Sequence, residues 1–361
     1  MTQAPPRTRL PHVLAALYAL AIVYASLQPF APWLAPPPGT SWFLLAPWPA
    51  RVSRYDMAIN VMAYLPFGFF VGLMPRHARP AVRVAAAAAA GALLALLMES
   101  LQAYVPPRDA NPYDLVFNAV GALAGGALAA ALARHPDAKR ALTHARTELF
   151  VSGQLGDVGL ALVAMWLVAQ SNPGIPLFAL VFHSNPSPVP VASMDGAALL
   201  IDAAGSAFQL IGVGLFATLV LRDAAHGRNA VLALVSAALV LKLGASAVLL
   251  KPEAWHAWIR PGVLMGIAAG ALVLPLAMAA PRPAQVALCG ITLLASLGAP
   301  LLAPDLLAAP APVALFDWRY GQLLNYNGLT HATLLAWPLL AAAWLLGLAG
   351  RPAWGQANEP V

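Results

Sequence analysis

The chain is 361 residues long, 60% hydrophobic and 9% charged, with a mean hydropathy of +0.72. Soluble domains carry about 25% charged residues, so this composition excludes a soluble globular enzyme, and apolar runs near the ~20 residues that span a bilayer place the protein in a membrane. The net charge of +6 comes from Lys and Arg scattered over short loops rather than from a basic face, which argues against a nucleic-acid partner, and the single cysteine, Cys289, excludes an intrachain disulfide.

Arg7 and Arg9 precede an apolar run from Leu10 to Ala25. A positive start and a short apolar core have the pattern of a cleavable leader, but the run can extend to Phe30, long enough to span, and is expected as a retained first helix. Residues 31 to 50 are rich in Pro and Trp, including Trp33, Trp42 and Trp48, which breaks helix and suits an interfacial loop with aromatic anchors. Three spans then follow at about residues 56 to 74, 82 to 105 and 113 to 133. Next comes a basic, mildly amphipathic stretch with Arg134, Lys139, Arg140 and Arg146, which reads equally as an interfacial helix or a solvated linker. Further runs lie near 158 to 171, 195 to 221, 229 to 250, 261 to 280, 285 to 303 and 331 to 349, and a Pro-rich uncharged loop occupies 172 to 194.

The pattern predicts an all-α, polytopic transmembrane bundle of about ten helices. Its expected parts are a four-helix domain over residues 1 to 133, a basic interfacial linker over 134 to 157, and a domain of about six helices over 158 to 361. With the N-terminus inside, thirteen Lys and Arg fall on the cytoplasmic side against six outside, which places both termini in the cytoplasm.

That orientation gathers polar residues toward the outer half of the bilayer. On the second helix Asp56, Asn60 and Tyr64 recur every four residues, a stripe descending about 6 Å per step. On the third, Glu99 and Gln102 sit one turn apart near the outer end. The fourth carries Asp114 at its mouth and Asn118 one turn deeper, followed by Gly121 and Gly125, a small-residue face for close approach. A carboxylate facing lipid costs several kcal/mol, so Glu99 is expected to point inward. Arg108, with Asp109 and Asp114 as competing partners, could fold over the cluster through Pro106 and Pro107.

The segment DMAINVMAYLPFGFF, with Asn60, Tyr64, Pro66, Phe67 and Gly68, resembles the second helix of VanZ-like membrane proteins. Glu99 and Gln102 as E-x-x-Q, then Arg108, Asp114, Asn118, Gly121 and Gly125, are similar to that family's R…D…N-x-x-G-x-x-x-G pattern, and the match covers about residues 10 to 130. The resemblance implies a small bundle whose namesake is associated with low-level resistance to the glycopeptide teicoplanin, without an agreed biochemical activity. Six further helices go beyond that unit.

The expected ligand-binding residues are therefore Asp56, Asn60, Tyr64, Glu99, Gln102, Arg108, Asp114 and Asn118, and the expected partner is a membrane lipid or a lipid-linked envelope precursor in the bacterial inner membrane. Two alternatives stand beside binding: an intramembrane enzyme with Glu99 as general acid or base, and a proton-coupled transporter using Glu99 and Asp202. Interhelical glue is the plain structural reading of Asn60, Gln102 and Asn118. No His pair stands at metal-ligand spacing and no nucleotide-binding glycine pattern occurs, so neither metal nor cofactor is expected. In the second half, Asp202, Gln209 and Lys242 are expected to form a polar seam, and the aromatic stretch around Tyr326 and Trp337 an interfacial belt or a ligand-binding lip with Asp317, Arg319, Asn325, Asn327 and His331.

Overall fold

The computed structural model describes residues 8–49, 53–75, 77–106, 108, 110–181, 184–185, 196–302, 309–310, 315–317 and 321–351. The fold is all-helical: α1 Leu10–Leu27, α2 Arg54–Leu73, α3 Pro80–Gln102, α4 Pro112–Ala133, α5 Pro136–Leu149, α6 Gly153–Gln170, α7 Gly196–Leu219, α8 Gly227–Leu249, α9 Pro261–Ala279, α10 Arg282–Ser296, α11 Gly298–Leu302 and α12 Gly321–Ala349. The exceptions among the described residues are a two-residue parallel pairing of Ser184–Asn185 with Ala309–Pro310 and two isolated antiparallel bridges, Phe150 with Leu221 and Leu250 with Phe316. Among the described residues ten helices, counting α10 and α11 as one span, are long and apolar enough to cross a membrane. The chain divides into two compact units, one comprising Arg7–Arg146 and the other Thr147–Val361.

In the first unit α4 packs against both α2 and α3, and small residues set the spacing. A Cβ on Gly121 would collide with Val61 O, one on Gly125 with Leu65 O, and one on Gly68 with Ala122 O, so α2 and α4 touch backbone to backbone. On the α3 side a Cβ on Gly126 would lie 2.6 Å from Ala87 Cβ, which gives the alanine run of α3 its partner. Arg83, although on an apolar span, is buried and donates from Nη1 to Gly72 O at 2.8 Å, closing the C-terminus of α2. Pro66 removes the donor that would have served Met62 O. The basic stretch after α4 forms the 14-residue α5, largely exposed, with Arg140 and Asp137 paired at 2.5 Å.

In the second unit α7 is the most enclosed span. It meets α9 where Gly262, Gly266 and Gly270 remove side chains, and α10 through Gly212 against Leu293. Trp337 and Trp344 of α12 donate to Leu162 O and Leu155 O of α6, each at 2.7 Å, and tie those helices together.

Three sequence expectations change here. Lys242 does not join Asp202: it is fully buried and donates to Asn172 O at 2.7 Å and Ile175 O at 2.8 Å, whereas Asp202 pairs with Arg260 at 3.2 Å and Gln209 accepts from Ser296 at 2.8 Å. Burial lowers the Arg260 guanidinium below its ordinary value and Asp202 opposes that shift. Residues 172 to 181, the first part of the uncharged loop, are non-helical as expected and buried, tolerable inside an apolar bundle because Lys242, Asn172 and His331 answer its backbone groups. The last helix starts at Gly321 rather than 331, since Asn327 and Thr330 receive Asn172 Nδ2 at 2.9 and 2.6 Å, Tyr326 meets Ser171 at 2.7 Å and His331 meets Val181 O at 3.1 Å. Trp337 is core, not belt. Trp318, Arg319 and Tyr320 lie outside the described residues.

Candidate functional site

The polar residues of α2, α3 and α4 converge at the end of the first unit that carries the 103–111 connection. The local sequence fixes where each helix begins. Ser53 accepts from the Asp56 N–H at 3.3 Å and so starts α2, while Asn111 accepts from the Tyr113 N–H at 3.0 Å and, with Pro112 at the first position, starts α4. Asp56 and Asp114 thereby fall in first turns, where the helix dipole favours an acid.

Glu99 is 3% exposed, and its Oε2 accepts the Asn111 backbone N–H at 2.8 Å. The buried acid therefore points into the bundle and anchors α3 to the N-terminus of α4. Asn60 donates from Nδ2 to Asp114 Oδ1 at 2.7 Å, linking α2 to α4. Asp56, Asn60 and Asp114 are half-buried and make a rim. Beneath it Tyr64, 3% exposed, and Asn118, 6% exposed, form a floor. The Tyr64 hydroxyl is within electrostatic reach of Glu99 and Asp114, yet among the described residues neither that hydroxyl nor Asn118 Oδ1 has a hydrogen-bond partner.

Gln102 and Arg108 behave differently. Gln102 Nε2 donates to Ser26 O at 2.9 Å; Arg108 donates from Nη2 to Ala25 O at 3.2 Å and Gln28 O at 2.9 Å, and from Nε to Gln28 O at 3.2 Å. Tyr24 O and Leu27 O receive the N–H groups of Gln28 and Phe30 at 3.0 and 2.8 Å. The last turn of α1 is thus fully answered, with a cation at its negative end. Burial pulls the Arg108 guanidinium below its ordinary value while Glu99 acts against that shift. Of the carboxylates expected as partners of Arg108, Asp114 pairs with Asn60 and Asp109 lies outside the described residues, and backbone carbonyls at the end of α1 take the guanidinium.

Some participants carried no legible signal. Asn111 contributes a backbone N–H, and Ala25, Ser26 and Gln28 contribute carbonyls, groups that every residue possesses. Asn111 next to Pro112 did carry one cue, the pairing of a capping residue with proline at the first helical position. The aromatic segment before α2 lies over this end: Trp48 meets Tyr113 edge-on at 5.0 Å, and Leu34 N donates to Tyr104 O at 2.9 Å.

Chemically the cluster is an acceptor-rich site. Three carboxylates, two unpartnered buried oxygens and an amide face one another, and the guanidinium nearby is occupied. Among the described residues no three His, Cys, Asp or Glu side chains are grouped to hold a metal ion. No curated protein and no solved structure matches the chain. Residues 12–133 match the VanZ/LLP1 family, so the N-terminal third of this multi-pass membrane protein is VanZ-like.

Proposed function

We propose that the first unit binds the headgroup of a cell-envelope amphiphile between α2, α3 and α4. The observation that carries this reading is the floor: a buried tyrosine hydroxyl and a buried amide oxygen lie without partners among the described residues, under a half-buried Asn60–Asp114 rim. A buried polar atom left unanswered costs about 1–3 kcal/mol, and such atoms call for a polar occupant. With both termini in the cytoplasm the rim opens to the outer leaflet of the bacterial inner membrane. Asp56, Glu99 and Asp114 repel an anion and attract donors, so the fitting headgroup carries sugar hydroxyls or an amine. The VanZ-like match of residues 12–133 supports extending the proposal to envelope biogenesis and to tolerance of glycopeptides such as teicoplanin.

Intramembrane acid–base catalysis and proton-coupled transport draw less support. Both would use Glu99, whose Oε2 is held as a fixed acceptor by the Asn111 N–H. The test is lipid retention by the full-length protein purified in mild detergent, compared with Asp114→Asn and Tyr64→Phe. The wild type is expected to carry a glycosylated or aminated lipid, identified by mass spectrometry, at roughly five to ten times the level in either variant, the worth of one hydrogen bond to a buried partner. Equal retention by all three proteins sinks the reading.

A further inference from the structure

The second unit holds a cavity with a different chemistry. Helices α8 and α9 both rest on α7, and between them runs a slot of about 510 Å³. Leu210, Leu274 and Phe178 form its back wall, and Val235 and Ile267 its sides. Leu232 and Leu264 at its rims are more than half exposed, so the slot opens sideways from the unit. Its lining is apolar except at one end, where Arg228 stands beside Met278; Trp258 closes the other. The two helices are antiparallel there, since a Cβ on Gly227 would lie 3.2 Å from Met278 Cε.

Arg228 is exposed, and among the described residues it has no hydrogen bond or ion pair. Its charged neighbours are engaged: Arg222 donates to Thr147 O at 2.8 Å, Arg282 to Thr218 O at 3.3 Å, and Asp223 accepts from the Ala225 N–H at 2.9 Å and lies 3.8 Å from His226. From Arg228 to Leu239 the slot follows α8 for about 16 Å at 1.5 Å per residue, close to the ~15 Å of hydrocarbon in one leaflet. The slot is thus long enough to take a single alkyl chain from the level of Arg228 towards the middle of the bilayer.

We propose that this slot binds one acyl chain of an anionic phospholipid, with the lipid phosphate at the Arg228 guanidinium. The length of the slot and the sign of the charge at its end each point to that occupant. The site is separate from the headgroup cluster of the first unit, and Asp114→Asn leaves it unchanged.

The experiment uses the full-length protein, stripped of lipid and offered phosphatidylglycerol and phosphatidylcholine with identical chains in equal amounts, with the retained lipid read by native mass spectrometry. The wild type is expected to keep phosphatidylglycerol about fivefold over phosphatidylcholine, the worth of one cation near an anionic headgroup. Arg228→Gln brings that ratio to one while a lipid is still retained. Ala271→Trp, which fills the slot, loses both lipids with the melting temperature unchanged; Val235→Phe from the opposite wall serves if the tryptophan variant does not fold. The proposal is overturned by a wild type without headgroup preference, by a filled slot that retains lipid at the wild-type level, or by a lipid-independent dimer that the filling substitutions disperse.

Discussion

Asn60 and Asn118 are both amides on apolar helices, and their fates differ. Asn60 has an acid opposite, at 2.7 Å, and stitches α2 to α4; Asn118 Oδ1 and the Tyr64 hydroxyl lie deeper and have no partner among the described residues. The difference yields a prediction. Tyr64→Phe removes an unanswered buried hydroxyl, so the purified protein is expected to unfold at equal or higher temperature, by up to about 1 kcal/mol, while its headgroup retention falls. A loss of stability in thermal melts would mean that the hydroxyl has a protein partner. Arg108→Ala has the opposite profile: it strips the α1 carbonyls of Ala25 and Gln28 of their donors, and is expected to destabilise the first unit by about 1.5–3 kcal/mol in the same assay.

At the scale of elements, two devices recur. One is the glycine contact, in which backbone meets backbone. Gly125→Ala drives a Cβ into Leu65 O, a carbonyl that cannot move without unwinding α2. It is expected to cost more than about 3 kcal/mol or to abolish membrane accumulation. Gly244→Ala on α8 meets nothing within 4 Å and is expected to be neutral or mildly stabilising, so the pair separates steric closure from any general intolerance of alanine. The other device is arginine at a helix C-terminus: Arg83 on α2, Arg108 on α1, Arg222 on α5 and Arg282 on α7 each donate to carbonyls of a final turn. Cations that count toward topology in the sequence therefore also satisfy orphan carbonyls in the fold.

At the scale of the molecule, the prediction concerns orientation. Cys289 is fully buried, with its Sγ 3.2 Å from Gly212 O, so a membrane-impermeant maleimide should leave the unaltered protein unlabelled. Ala35→Cys, on the exposed segment before α2, is expected to react from outside intact cells, and Ala225→Cys, on the turn before α8, only after permeabilisation. Labelling in the reverse order would invert the topology and put the headgroup cluster on the cytoplasmic face. The asymmetry of Lys and Arg across the turns is the physical ground for the expected result.

The sequence by itself determined the class, the ten spans and most of the cluster. Membrane helices must be long and apolar, and polar side chains on them must turn inward, so Asp56, Asn60, Tyr64, Glu99, Asp114 and Asn118 at helical spacing could converge on one site. Glycine spacing on α4 likewise marked the face that meets α2. Only the tertiary structure decided who pairs with whom. Asn111 N–H, the α1 carbonyls and the backbone of residues 172 to 181 became the partners of Glu99, Arg108 and Lys242, and backbone groups have no signature in a sequence because every residue brings the same ones. The slot between α8 and α9 escaped for a related reason. A gap is a property of two helices that fail to touch, and neither helix records it alone.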